Sequence, residues 1–216
     1  MSRPPSAPGA QNPLLTDWTG PFGLPPFGAA TPEQFRPAFD AALAAHRAEI
    51  ATIAADPAPP GFDNTIAALE RSGRALDRVS NLFFVLAGAD TNDAIEAVER
   101  EVSPLLARHS NALYLNRALY GRIADLYARR DTLDLSPEQA RVLERYHTKF
   151  VRAGGALAKP AQDRLAEINE RLASLGTQFG QNVLADEQAY ALILEASAAA
   201  WSKPSSLPDR PIRWSA

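Results

Sequence analysis

Two tetrapeptides constrain the fold more than any other feature of this sequence. "TPEQ" at Thr31 to Gln34 and "SPEQ" at Ser136 to Gln139 each offer a hydroxyl N-cap, a proline at the first helical position and a capping-box glutamine. A helix therefore starts at each. After the first, Phe35, Phe39, Leu43, His46, Ile50 and Ile53 recur at steps of three and four, a core-facing stripe that ends near Asp56, before "PAPPG". Pro37 is expected to disturb its opening turns. Similar stripes predict helices over about Asn64 to Leu86, Asp93 to Asn111 with a break or kink at Pro104, and Arg117 to Arg129. The helix from Pro137 should end near Gly154 and Gly155, which tolerate left-handed φ. A sixth, from about Pro160 to Ala185, carries Leu165, Ile168, Leu172, Leu175 and Phe179.

The expected class is mostly α: an irregular antiparallel helical array of about six helices, with one short strand near the C-terminus at Gln188 to Ala196. No internal repeat of solenoid length is present. Residues 1–30 form an extended arm rich in Pro and Gly, whose Leu14, Leu15, Trp18, Phe22, Leu24 and Phe27 are too apolar for a free tail. Residues 31–196 form the helical domain, and residues 197–216 an irregular tail.

Composition narrows the function classes. The 216 residues are 46% hydrophobic and 22% charged, enough apolar material for one domain with a proper core. Basic and acidic residues, 22 and 25 of them, are mixed along the chain, so no basic patch suggests nucleic acid or an anionic membrane. The absence of cysteine removes disulfides, thiolate metal sites and a cysteine nucleophile, and suits a reducing compartment. No apolar run marks export or a membrane span, so the expected location is cytoplasmic.

"ERYH", Glu144 to His147, has the Glu-x-x-His spacing of carboxylate-bridged di-metal proteins. Such a centre needs two of these motifs, yet Leu43 stands three residues before His46 and Leu106 three before His109. His147 falls on the apolar stripe amid Leu143, Tyr146 and Phe150. It reads as a core or interface histidine with Glu144 within hydrogen-bonding reach. No histidine is followed by Glu as a His-Glu-x-x-His zinc motif requires, and no nucleophile elbow or phosphate-binding glycine loop occurs. Arg141, Arg145 and Arg152, opposite the stripe, read as a solvated face. No catalytic, cofactor-binding or metal residue is assigned.

Six segments in order carry a resemblance: "NPLL", "LPPFGAATPEQFRPAF", "FDNTIAALERSG", "RHSNALYLNRALYGRI", "FVRAGGAL" and "RLAEINERLASLGTQFGQNVLADE". Over roughly residues 12–196 the chain resembles the N-terminal region of the thimet-oligopeptidase-like zinc metallopeptidases, the family of bacterial oligopeptidase A and peptidyl-dipeptidase. The resemblance implies a cytoplasmic peptidase fold in which short peptides are cleaved in a channel between two mostly helical halves. It also implies that zinc, in intact relatives, is held by the other half. No family catalytic residue carries over to His46, His109, His147 or any other position here. From about Ser197 the chain departs from the family, as expected of a truncated, non-catalytic remnant. A stand-alone helical peptide- or protein-binding module shares every one of these features. In the truncated reading, surface that the missing half would bury is left exposed, with Trp18, Phe22, Phe27, Trp201 and Trp214 as candidates and self-association or marginal stability as the expected result.

Overall fold

The structure is a computed structural model that describes residues 12–190. The chain divides into two units, Met1–Gln181 and Asn182–Ala216; only residues 182–190 of the second are described. In chain order the elements are α1 (Pro32–Ala54), a π-helical turn (Phe62–Ala67) leading into the single turn α2 (Ala68–Arg71), α3 (Arg74–Ala89), α4 (Asp93–Tyr114), α5 (Arg117–Ala128), α6 (Pro137–Arg152) and α7 (Lys159–Ala189). Six of these are long helices, and the fold is the mostly α, irregular array that the periodicity implies. No strand occurs among the described residues. Of the expected strand, Gln188 and Ala189 instead finish α7, because "ADEQA" continues the helical ladder, and residues 191–196 lie outside the described residues.

The caps act as their residue types dictate. The Gln139 amide donates to Ser136 Oγ at 3.2 Å while the Ser136 amide donates to Gln139 Oε1 at 3.0 Å, satisfying two amides that α6 leaves open. At α1 the Thr31 amide donates to Gln34 Oε1 at 3.0 Å. Pro37 and Pro104 lie inside α1 and α4, and both helices run through them. The helix expected over Asn64 to Leu86 is instead divided. Gly73 adopts φ 77°, which the α ladder cannot accommodate, and its amide donates to Glu49 Oε2 of α1 at 2.7 Å.

Two hydrophobic clusters hold the array. The first joins Phe35, Ala38, Phe39, Ala42 and Leu43 of α1 to Leu76, Val79, Leu82 and Phe83 of α3 and to Ile95 and Val102 of α4. Phe83 meets Phe35 and Phe39 edge to face, with ring centroids at 5.1 and 5.5 Å. The second joins Ile50 and Ile53 of α1 to Ile66, Leu69, Leu119, Ile123, Leu126, Leu143 and Phe150. The stripe of α1 thus feeds both clusters, and His46 stands where it passes from one to the other.

The arm is tied down in part. Asn12 Nδ2 donates to the Gln34 carbonyl at 2.8 Å, Leu14 is fully buried in the first cluster, and Leu15 and Trp18 pack against it. Trp18 is therefore not the exposed ring expected of it, whereas Phe22 and Phe27 stand out in solvent. Trp201 and Trp214 lie outside the described residues.

Candidate functional site

Two constellations carry titratable side chains in an ordered setting, one buried between the clusters and one on the surface of α6.

The buried one begins with His46 of α1 and His109 of α4. His109 Nε2 lies 2.9 Å from His46 Nδ1, and His46 Nε2 lies 3.2 Å from Ser72 Oγ. The Ser72 hydroxyl in turn donates to the Leu69 carbonyl at 2.8 Å. That last bond fixes the direction of the chain. Ser72 Oγ is left to accept from His46 Nε2–H, so His46 Nδ1 is the acceptor for His109 Nε2–H. The His46 ring is then neutral, and His109 Nδ1 is left buried with no partner. Burial pushes the His109 pKa down to about 4, with His46 and Arg47 adding to the shift. Burial also lowers that of His46, against the pull of Glu49 and Asp77. Gly73 closes the site from the side, since a Cβ there would sit 2.9 Å from His46 Cε1.

On α6, His147 lies flat on Tyr127 with centroids 4.0 Å apart and planes 4° apart. Burial, then Arg130, lowers its pKa. Glu144 does not reach it; its carboxylate accepts from Arg141 at 2.6 Å. The "ERYH" spacing thus yields a stacked ring and a surface ion pair rather than two groups on one ligand. Beside them runs a groove of about 1160 Å³ lined by Glu70, Arg141, Glu144, Arg145, Tyr146, Thr148, Lys149 and Arg152. Four cations one to two turns apart share this wall, and among the described residues Arg145 and Arg152 have no ion-pair partner. Tyr146 sits at its base, its phenol pKa pushed up by burial and by the Glu70 carboxylate.

The family resemblance implies zinc, and the side chains described here do not fit it. A zinc site takes three protein ligands or more, with lone pairs aimed at one point. His46 and His109 direct their facing nitrogens at each other, the Glu49 carboxylate serves the Gly73 amide, and His147 is stacked between tyrosines. No three His, Asp or Glu side chains converge among the described residues. The meeting of His46 and His109, 63 positions apart, had no local signature beyond the place of His46 in an apolar stripe.

No protein-family model matches the chain. It is 39% identical over 183 residues to dipeptidyl carboxypeptidase of Escherichia coli (strain K12), a match that takes in 85% of this chain and 27% of that protein. It is 39% identical over 184 residues to dipeptidyl carboxypeptidase of Salmonella typhimurium, again 85% of this chain and 27% of that protein. To oligopeptidase A of Salmonella typhimurium it is 31% identical over 173 residues, 80% of this chain and 25% of that protein. Over most of its own length, the chain is a relative of the dipeptidyl carboxypeptidase and oligopeptidase A peptidases. It spans about a quarter of the length of the curated relatives it matches.

Proposed function

We propose that this chain is the N-terminal helical part of a zinc-dependent oligopeptidase or peptidyl-dipeptidase, working in the cytoplasm on short peptides, and that by itself it does not hydrolyse them. The observation that carries the reading is the identity of 39% over 183 residues to a peptidase of which those residues make up only 27%. In this reading the helices form one side of the space that receives a peptide. Zinc, which polarises the scissile carbonyl and activates water, is held by residues of the remaining length. What this chain's own residues do is shape and support: the two clusters hold α1, α4, α5 and α6 in place, and α6 offers its cationic wall to solvent.

The test is hydrolysis of a panel of short peptides by the purified chain, with and without added zinc. No turnover is expected in either condition. Zinc-dependent turnover that a chelator stops and that His46→Ala or His109→Ala abolishes would overturn the reading.

The α6 groove favours a second reading, a stand-alone module that binds peptides or a protein partner. Saturable binding of a short acidic peptide, weakened by Arg145→Glu with Arg152→Glu and unaccompanied by turnover, would favour it.

A further inference from the structure

The hydrogen bonds of His46 and His109 limit how many protons the pair can hold. His109 Nε2–H donates to His46 Nδ1 and His46 Nε2–H donates to Ser72 Oγ, so three of the four ring nitrogens are committed. The fourth, the buried His109 Nδ1, has no partner among the described residues, and a first added proton enters there. The proton between the rings can then sit on either facing nitrogen, and the bond between the rings survives in both cases. Its place is set by the charges around the pair. Arg47 of α1 bears on His109, whereas Glu49 of α1 and Asp77 of α3 bear on His46. Arg108, beside His109 on α4, is engaged by Glu170, and the turn after α2 presents the uncharged Ser72 hydroxyl and Gly73 amide. The positive charge therefore settles on His46. A second proton has no such place: both facing nitrogens, 2.9 Å apart, would carry hydrogen, and the attraction between them becomes a repulsion.

The same ring holds a turn. His46 donates to Ser72, and the next amide, that of Gly73, donates to Glu49 Oε2 at 2.7 Å. Gly73 lies so close to the ring that an added Cβ would sit 2.9 Å from His46 Cε1. A His46 ring that swings away from a charged His109 must therefore leave Ser72 or displace Gly73. We propose that the pair is an acid-released latch: His109 holds the His46 ring, the ring holds the Ser72–Gly73 turn against α1, and the second proton frees the turn while α1 and α3 stay helical. Released rings accept two protons in the ordinary imidazole range and the latched pair holds at most one, so acid favours release by mass action. Burial, which holds His109 down to about 4, widens the range of pH over which this bias operates.

The test is hydrogen exchange of the Gly73 amide in the full chain from pH 7.5 to 4, read by NMR beside the ring nitrogens. At pH 7.5 His46 should carry its hydrogen on Nε2 and leave Nδ1 bare. After correction for intrinsic exchange, the open fraction at Gly73 should rise about tenfold per pH unit below about pH 6.5, the slope of one linked proton. The amides of Leu82 and Phe83 should stay protected, which separates release of the turn from unfolding. Glu49→Gln keeps an acceptor for the Gly73 amide and does not titrate, so the slope should persist. His109→Gln supplies an amide that can donate to a neutral His46 or accept from a charged one, so the slope should flatten. The proposal is overturned by an open fraction that stays level, by a turn that opens only together with Leu82 and Phe83, or by a bare His46 Nε2 at pH 7.5. It is equally overturned by a slope that Glu49→Gln abolishes or that His109→Gln retains. None of these outcomes bears on the peptidase reading, which rests on sequence identity and turnover.

Discussion

α1 and α7 are both long helices with an apolar stripe of helical period, and the array uses them in opposite senses. α1 buries Phe35, Phe39, Leu43, Ile50 and Ile53 in two clusters. α7 keeps Gln162 inside and leaves Leu172 and Phe179 in solvent. The period of a stripe says that a helix has a face to cover, but not what covers it. For α1 the cover is α3, α4, α5 and α6 of the same chain. For α7 the described residues supply mostly polar partners, side chains of α4 and the carbonyls of Gly154 and Gly155, so its seam is held largely by side-chain hydrogen bonds, each worth about 1 kcal/mol net, rather than by buried area.

The largest expected effect tests the buried side of this contrast. Phe83→Ala removes the ring that meets Phe35 and Phe39 and should destabilise the chain by about 3–5 kcal/mol in chemical denaturation. Phe179→Ala, at a ring 70% exposed, should shift stability by less than about 0.5 kcal/mol. Equal effects would erase the distinction between the two helices.

Acid should act next most strongly, on the point where the stripe of α1 crosses between clusters. His109 is held to a pKa of about 4 against 6.5 for the free side chain. The unfolded chain therefore takes up a proton below pH 6.5 that the folded chain refuses until about pH 4. Stability is full above that window, falls as the pH drops through it, and levels off below. Urea midpoints measured from pH 7.5 to 4 should fall accordingly, and His109→Leu should flatten the slope. A wild-type profile already flat would show that the pair is not buried as a neutral relay.

Smaller effects sharpen the comparison at the polar seam. Asn111→Ala removes the donor to Ala166 and the acceptor for Asn169, and should cost about 1–2 kcal/mol. Its signature is local: amide exchange should quicken along α7 while α1 stays protected. Gly73→Ala, at φ 77° and 2.9 Å from the His46 ring, should cost a similar amount, but with loss of protection in α1 and α3 instead. Smallest of all, His147→Leu gives up a stack on Tyr127 at a half-buried site and should shift stability by about 1 kcal/mol or less.

What could be read from the sequence follows the same divide between local and long-range information. The starts of α1 and α6 are legible because a capping box is complete within four residues. The end of α6 is legible too. Gly154, at φ 94°, and Gly155 donate back to the Val151 and Phe150 carbonyls at 3.1 and 2.8 Å, as their residue type invites. The break at Gly73 was not legible, because "LERSGRALD" keeps its helical period and the partner that holds the turn, Glu49, lies on another helix. The histidine pair was hidden for the same reason. Each ring sits in its own apolar stripe, and nothing within either stripe says that the two face one another. On α6 the Glu-x-x-His spacing was visible, but Arg141 and Tyr127 decide what its side chains do.

The position of α1 in both clusters has a consequence for how the chain comes apart. A cluster confined to its own helices could open while its neighbour stayed folded. Here Leu43 and Ile50, seven residues apart on one continuous helix, belong to different clusters, so unwinding α1 to release either one withdraws a wall from the other. The body should therefore melt as one cooperative event, with both clusters sharing a single slowest-exchanging group of amides on α1. α7, whose attachment does not pass through that helix, is free to open on its own, well before the body does.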